Sequence, residues 1–246
     1  MEQLRDLADD RLISGCIYCG GLPETRDHVP SRVLLDRPLP TNLPVLPACS
    51  RCNGGFSADE EYFACLLETA MVGSTEPDAV RRPVVSEVLR RNPALRARLE
   101  AARQSSNGHV AFSVDPARAE AVLLKLARGH AAYELSTLCR EAPTQLSWGP
   151  ISSLPAHERD LLDEAYVADF FPEIGSRGMQ RMLVTQITVQ GPNGQTEVKN
   201  VVVVDWVDVQ DGRYRYLAYE DPSGIRVRIV LGEYLYADVF WSKGAQ

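Results

Sequence analysis

Four cysteines in two pairs, Cys16-Ile-Tyr-Cys19 and Cys49-Ser-Arg-Cys52, set the first constraint on how this chain folds. Two residues between thiols let both sulfurs of a turn face one point, which is the spacing of a tetrahedral zinc site. In a reducing compartment the pattern predicts a metal site and not two disulfides. Gly20-Gly21 follow the first pair and Gly54-Gly55 nearly follow the second, so tight knuckles are accessible at both places. The loop that such a site closes holds too few large apolar side chains to fold alone. Zinc is therefore expected to supply much of the local folding free energy. The remaining cysteines, Cys65 and Cys139, lie in apolar helical stretches and read as small buried hydrophobes.

A chain of 246 residues is long enough for one large domain or two small ones. No run approaches the roughly 18 apolar residues of a membrane span. The N-terminal MEQLRDLADDR lacks the apolar stretch of a secretory signal, so the expectation is a cytoplasmic protein with no membrane partner. A net charge of −7 excludes a protein that coats nucleic acid by bulk electrostatics. The charge is unevenly spread. The first ten residues are acidic, whereas from Arg11 to Glu60 the arginines 11, 26, 32, 37 and 51 offset Glu24, Asp27, Asp36, Asp59 and Glu60. A local phosphate site near the N-terminus stays open.

Between the knuckles the chain reads Thr25-Arg-Asp-His-Val29, a Pro-rich loop, and Thr41-Asn-Leu-Pro-Val-Leu46. This predicts a short strand, a loop, a second short strand, and a knuckle that opens a helical turn. Adjacent residues of a strand point to opposite faces, so Asp27 and His28 cannot both enter the core of a one-sided hairpin. That is a local cost unless one or both do chemistry.

The string Cys16-x2-Cys19, Asp27-His28-Val29-Pro30, Asn42-Leu43, Ala48-Cys49-x2-Cys52-Asn53 resembles the HNH endonuclease family in its zinc-knuckle variety. Five elements stand in the family's order at compatible spacing, over residues 11–64 only. The resemblance implies a ββα-metal fold in which two strands and a helix grip one divalent ion beside a histidine. It makes His28 the general base. Asp27 and Asn53 match the positions that hold the catalytic ion, and Asn42 matches the loop-bracing asparagine that orients the histidine. Asn53 is the variant third letter of the motif. A lysine that often follows the last Cys-Asn is replaced by Gly-Gly-Phe-Ser57, which leaves phosphate contact to Arg26, Arg32, Arg37 or Arg51.

The residue types suit the chemistry that the resemblance implies. A neutral imidazole with a pKa near its usual value of about 6.5 can take a proton from water. Hard oxygen ligands suit Mg2+ or Mn2+, whereas soft thiolates keep the zinc. The expected substrate is DNA, with RNA also allowed. The rival reading is a non-catalytic zinc-binding module that recognises nucleic acid or a protein partner, which the acidic chain and the missing lysine favour.

Beyond the module, Ser57-Ala-Asp-Glu60 reads as a capping box that starts a helix over residues 58–71. Residues 81–103 form a basic helical stretch that Asn92-Pro93 divides, read as a solvated face or a backbone-contacting one. A strand is expected over 109–114 and helices over 116–138 and 156–170. Strands follow over 183–190, 198–209, 213–220 and 225–240, the last in one or two pieces, joined by hairpin-grade turns. The fold class is α+β: an N-terminal zinc module over residues 1–72, then helices and an antiparallel meander over 73–246. The second part carries no recognisable chemistry and is open to a protein partner or a homodimer contact. His109, His130 and His157 read as non-catalytic, and the tyrosines of the strands as sheet filling.

Overall fold

The computed structural model describes residues 11–243; the acidic first ten residues lie outside the described residues. Strand β1 (Thr25–His28) pairs antiparallel with β2 (Val45–Ala48), which sets Asp27 opposite Leu46 and His28 opposite Val45. Helix α1 (Ser50–Val72) starts directly behind the second knuckle. Its N-cap is Cys49, whose sulfur accepts from the Cys52 N–H, so Gly54 and Gly55 lie inside the helix and not in a turn. The expected start at residue 58 is therefore eight residues late. Ser57 and Glu60 do not cap anything because the acidic residues there reach other elements: Asp59 pairs with Arg118, Glu60 with Lys125 and Glu61 with Arg91.

Helices α2 (Pro83–Arg91) and α3 (Pro93–Ala102) part at Asn92, whose Oδ1 accepts from Leu95 N–H at 3.1 Å. Strands β3 (Arg103–Ser106) and β4 (His109–Phe112) form a hairpin turned by Asn107 and Gly108, both at positive φ. The long helix α4 (Pro116–Leu135) comes next, then β5 (Gln145–Pro150), a strand without a sequence signal. Helix α5 (Ala156–Asp160) is one turn long, and the expected helix to residue 170 is replaced by β6 (Tyr166–Ala168). The reason lies in packing: the Tyr166 ring stacks on Tyr219 with centroids 3.8 Å apart, which holds this segment extended against a sheet. Helix α6 (Arg177–Gln180) leads into β7 (Leu183–Gln190), β8 (Thr196–Val204), β9 (Val207–Gln210), β10 (Tyr214–Asp221), β11 (Gly224–Leu231) and β12 (Leu235–Ser242).

These strands form two sheets and not one meander, in the orders β6-β8-β7 and β5-β12-β11-β10-β9. The strand expected over 198–209 breaks at Asp205-Trp206, where the Asp205 carboxylate accepts from the Trp206 N–H and the chain passes from one sheet to the next. The class is α+β. Among the described residues no helix is long and apolar enough to cross a membrane.

Helix α4 organises the core. Its Val122, Leu123 and Leu126 share one buried cluster with Phe63 and Leu67 of α1 and with Tyr216, Val227, Ile229 and Val239 of the larger sheet. This cluster crosses residue 72, so the zinc segment and the sheet share apolar contacts through α4. On the sheet side His130 is fully buried, with Nε2 2.7 Å from the Tyr214 hydroxyl and its ring stacked 3.6 Å from Tyr216. Burial pushes its pKa down to about 3, so it is a neutral core residue.

On the module side α4 touches the residue just after β1 at Gly129, where a methyl group would lie 2.5 Å from Val29 Cγ2. Val29 is fully buried and branched and has no room to yield. Gly129→Ala is therefore expected to destabilise: overpacking costs about 1–3 kcal/mol against about 1 kcal/mol gained in helix propensity. In a Val29→Ala background the same change is expected to stabilise. Denaturant unfolding of the four proteins checks this, and additive effects would mean that the two residues are not in contact.

Candidate metal centre and histidine site

The first knuckle folds tightly because Gly15 and Gly20 adopt positive φ, with Cys16 N–H donating to Gly21 O at 2.7 Å and Gly20 N–H to Cys16 O at 2.8 Å. Ile17 N–H donates to Pro47 O at 3.1 Å, which pins this knuckle to β2 beside the second one. Arg140, from the loop after α4, donates to the carbonyls of Ser14 and Cys16. The four sulfurs of Cys16, Cys19, Cys49 and Cys52 all lie within 4.8 Å of one another. Cys19 Sγ and Cys49 Sγ are 3.7 Å apart. Four thiolates about 2.3 Å from one zinc ion stand about 3.8 Å apart at the corners of a tetrahedron, so the cluster fits a structural metal such as zinc. The Gly21 N–H and the neighbouring thiols lower the Cys19 pKa to about 7, whereas burial and then the same neighbours push that of Cys52 up, so Cys19 gives up its proton before Cys52. Cys65 and Cys139 are buried, and burial pushes both thiols up to about 12.

His28 ends β1 with its ring half-buried and without a hydrogen bond among the described residues. Its pKa is lowered first by burial and then by the charge of Arg32; the Asp27 carboxylate pushes it up by less, and Lys125 down by less still. The imidazole is therefore neutral at pH 7. Asp27 points the other way, into the protein. Its carboxylate accepts from the Tyr18 hydroxyl at 2.8 Å and from Lys125 Nζ at 2.9 and 3.1 Å. Lys125 also reaches Ser31 Oγ at 2.8 Å and the Glu60 carboxylate.

Asn53 spends its amide N–H on Thr25 Oγ1 at 3.1 Å and Arg26 O at 3.3 Å, which ties the first turn of α1 to β1. Asn42 lies exposed in a turn, and no hydrogen bond joins it to His28. Both Asp27 oxygens thus face the Lys125 ammonium group, so a hydrated Mg2+ or Mn2+ ion at Asp27 would have to displace it, while the Asn53 Nδ2 ties α1 to Thr25 and Arg26. Among the described residues the four thiols are the one group of three or more His, Cys, Asp or Glu side chains that converges.

The arginines divide into two populations. In the basic helical stretch Arg90, Arg91, Arg96, Arg98 and Arg103 pair with Asp78, Glu61, Glu76, Asp115 and Glu100, so that face is largely neutralised. The side chains of Arg26, Arg32, Arg37 and Arg51 are exposed, and their guanidinium groups make no hydrogen bond or ion pair among the described residues. Two of them flank His28 along the chain.

Sequence reasoning missed Lys125, Tyr18 and Ser31. Lys125 carried a signal: it interrupts the apolar run Val122-Leu-Leu-Lys-Leu126 on the stripe that also holds Gly129, the side of a helix that faces a core.

No family model, curated protein or solved structure matches this chain.

The thiol cluster predicts one zinc per chain by metal analysis. Cys16→Ser or Cys52→Ser is expected to lose the ion. A loss of about 4 kcal/mol of coupled binding energy would lower Tm by roughly 8–16 °C in a chain of this size. An unchanged metal content in both variants would contradict the site.

Proposed function

We propose that this protein is a metal-dependent endonuclease of the HNH type that hydrolyses DNA phosphodiester bonds with His28 as general base. The observation that carries this reading is the His28 imidazole: half-exposed, without a hydrogen bond among the described residues, its pKa lowered by burial, and at the end of β1 in a ββα unit that a four-thiol cluster closes. A neutral ring nitrogen can take the proton of a water molecule as that water attacks phosphorus. The P–O3′ bond then breaks, which leaves a 5′-phosphate and a 3′-hydroxyl.

The exposed arginines support the same reading. Arg26 lies in β1, Arg32 just after it and Arg51 in the first turn of α1, and their guanidinium groups, unpaired among the described residues, suit phosphate oxygens. They also explain how an acidic chain can hold a polyanion: the contact is local and does not depend on net charge. Zinc on the thiols would fix β1 and α1 relative to each other. Mg2+ or Mn2+, which the reading also requires, stabilises charge on the phosphoryl and leaving oxygens when bound. Asp27 and Asn53 are the ligands that the resemblance gives it.

A second reading, a zinc-binding module without catalysis that recognises nucleic acid or protein, is favoured by one observation. The Asp27 carboxylate is bound to Lys125 and Tyr18 and not open to an ion.

Nicking of supercoiled plasmid by zinc-loaded protein with added Mg2+ or Mn2+ decides between the two. The nuclease reading expects His28→Ala, folded and still holding zinc, to lose about 10²–10⁴ in rate. Equal inactivity of wild type and variant would favour the binding module. The pH profile gives a further check. His28 works as a base only when unprotonated, so the rate falls as pH drops through its folded pKa, which lies below its ordinary value. Removing the positive charge in Arg32→Ala eases protonation, raises that pKa and is expected to move the acid limb to higher pH.

A further inference from the structure

Asp27 on β1 and Glu60 on α1 are a carboxylate pair with a cation already between them. Lys125 is 1% exposed, and its Nζ touches Asp27, Glu60 and Ser31 at once. The Tyr18 hydroxyl completes the shell by donating to Asp27. Two carboxylates in so dry a setting need a positive partner, because an uncompensated buried charge is costly. An ammonium group answers that need, and so would a divalent ion. Both together would bring like charges within a few ångströms of each other, where repulsion is strong.

The lysine comes from far along the chain. It lies one helical turn before Gly129, whose close approach to Val29 sets α4 against the end of β1. The opposite side of α4 rests on the larger sheet through His130 and its two tyrosines. Nothing in residues 11–64 alone supplies a cation to Asp27.

We propose that the Lys125 ammonium group and a divalent ion exclude one another at Asp27. The proposal rests on the nuclease reading only in naming Asp27 as the ligand of the ion. It accounts for the disagreement between the ion expected at Asp27 and the geometry there: the carboxylate is held ready by a tethered cation that the ion must displace.

Mn2+ binding to the zinc-loaded full-length chain, read by electron paramagnetic resonance of the free ion, tests this without relying on cleavage. Lys125→Met removes the competing charge, and Lys125→Gln removes it while leaving a donor for Asp27. Both are expected to bind Mn2+ at least about tenfold more tightly than wild type. Lys125→Arg keeps the charge and is expected to bind as weakly as wild type. Adding Asp27→Asn is expected to abolish the gain. The proposal is overturned if both neutral variants bind no more tightly, if the gain survives Asp27→Asn, or if neither neutral variant folds, which would make Lys125 purely structural. A gain in Mn2+ affinity in proteins that never nick plasmid would support the proposal and count against the nuclease reading alone.

Discussion

A single buried ammonium group holds the two halves of this protein to one geometry. Lys125 leaves α4 and ends between Asp27 of β1 and Glu60 of α1, with Ser31 and Tyr18 completing the cluster. Removing one member of such a group leaves an unpaired charge in a dry interior, which typically costs about 3–5 kcal/mol. The cluster therefore fixes position more than it adds net stability. Around it the apolar contacts fall into place: Gly129 on Val29, Phe63 and Leu67 against α4, and the tyrosines of the larger sheet on the far side.

The thiol cluster does a different job. It joins two knuckles that the sequence separates by thirty residues, and it sets the first turn of α1 beside β1. The Asn53 amide finishes that junction with its bonds to Thr25 and Arg26. Neither the thiols nor Asn53 touches His28, which leaves the imidazole free at the rim. Charge is arranged to match. The arginines of α2 and α3 are consumed by carboxylates of neighbouring elements, whereas those near His28 are not.

Much of this was legible from residues that act locally. The CxxC spacing gave the thiol cluster, and the Asn92-Pro93 pair gave the break between α2 and α3, because each depends on a few consecutive residues. The segments that misled did so where distant partners override local preference. Ser57 to Glu60 has the letters of a capping box, yet Cys49 caps the helix eight residues earlier and the carboxylates pair elsewhere. Tyr166 lies in a stretch with helical composition, and its stacking on Tyr219 draws it into a strand. Asp27 was legible as a functional candidate by its neighbours, but its partner is 98 residues away: Lys125 stands out in an apolar stripe, yet no local pattern pairs it with Asp27.

The most direct test of this account is native-state hydrogen exchange on the zinc-loaded chain, comparing the β1 amides near Val29 with the α4 amides near Lys125. If the charge cluster and the Gly129 contact bind β1 to α4 as one cooperative unit, both sets exchange with the same opening free energy, equal to that of global unfolding. Exchange of β1 through a lower-energy opening that leaves α4 protected would contradict it, because the zinc segment would then be an independent unit that Lys125 merely touches.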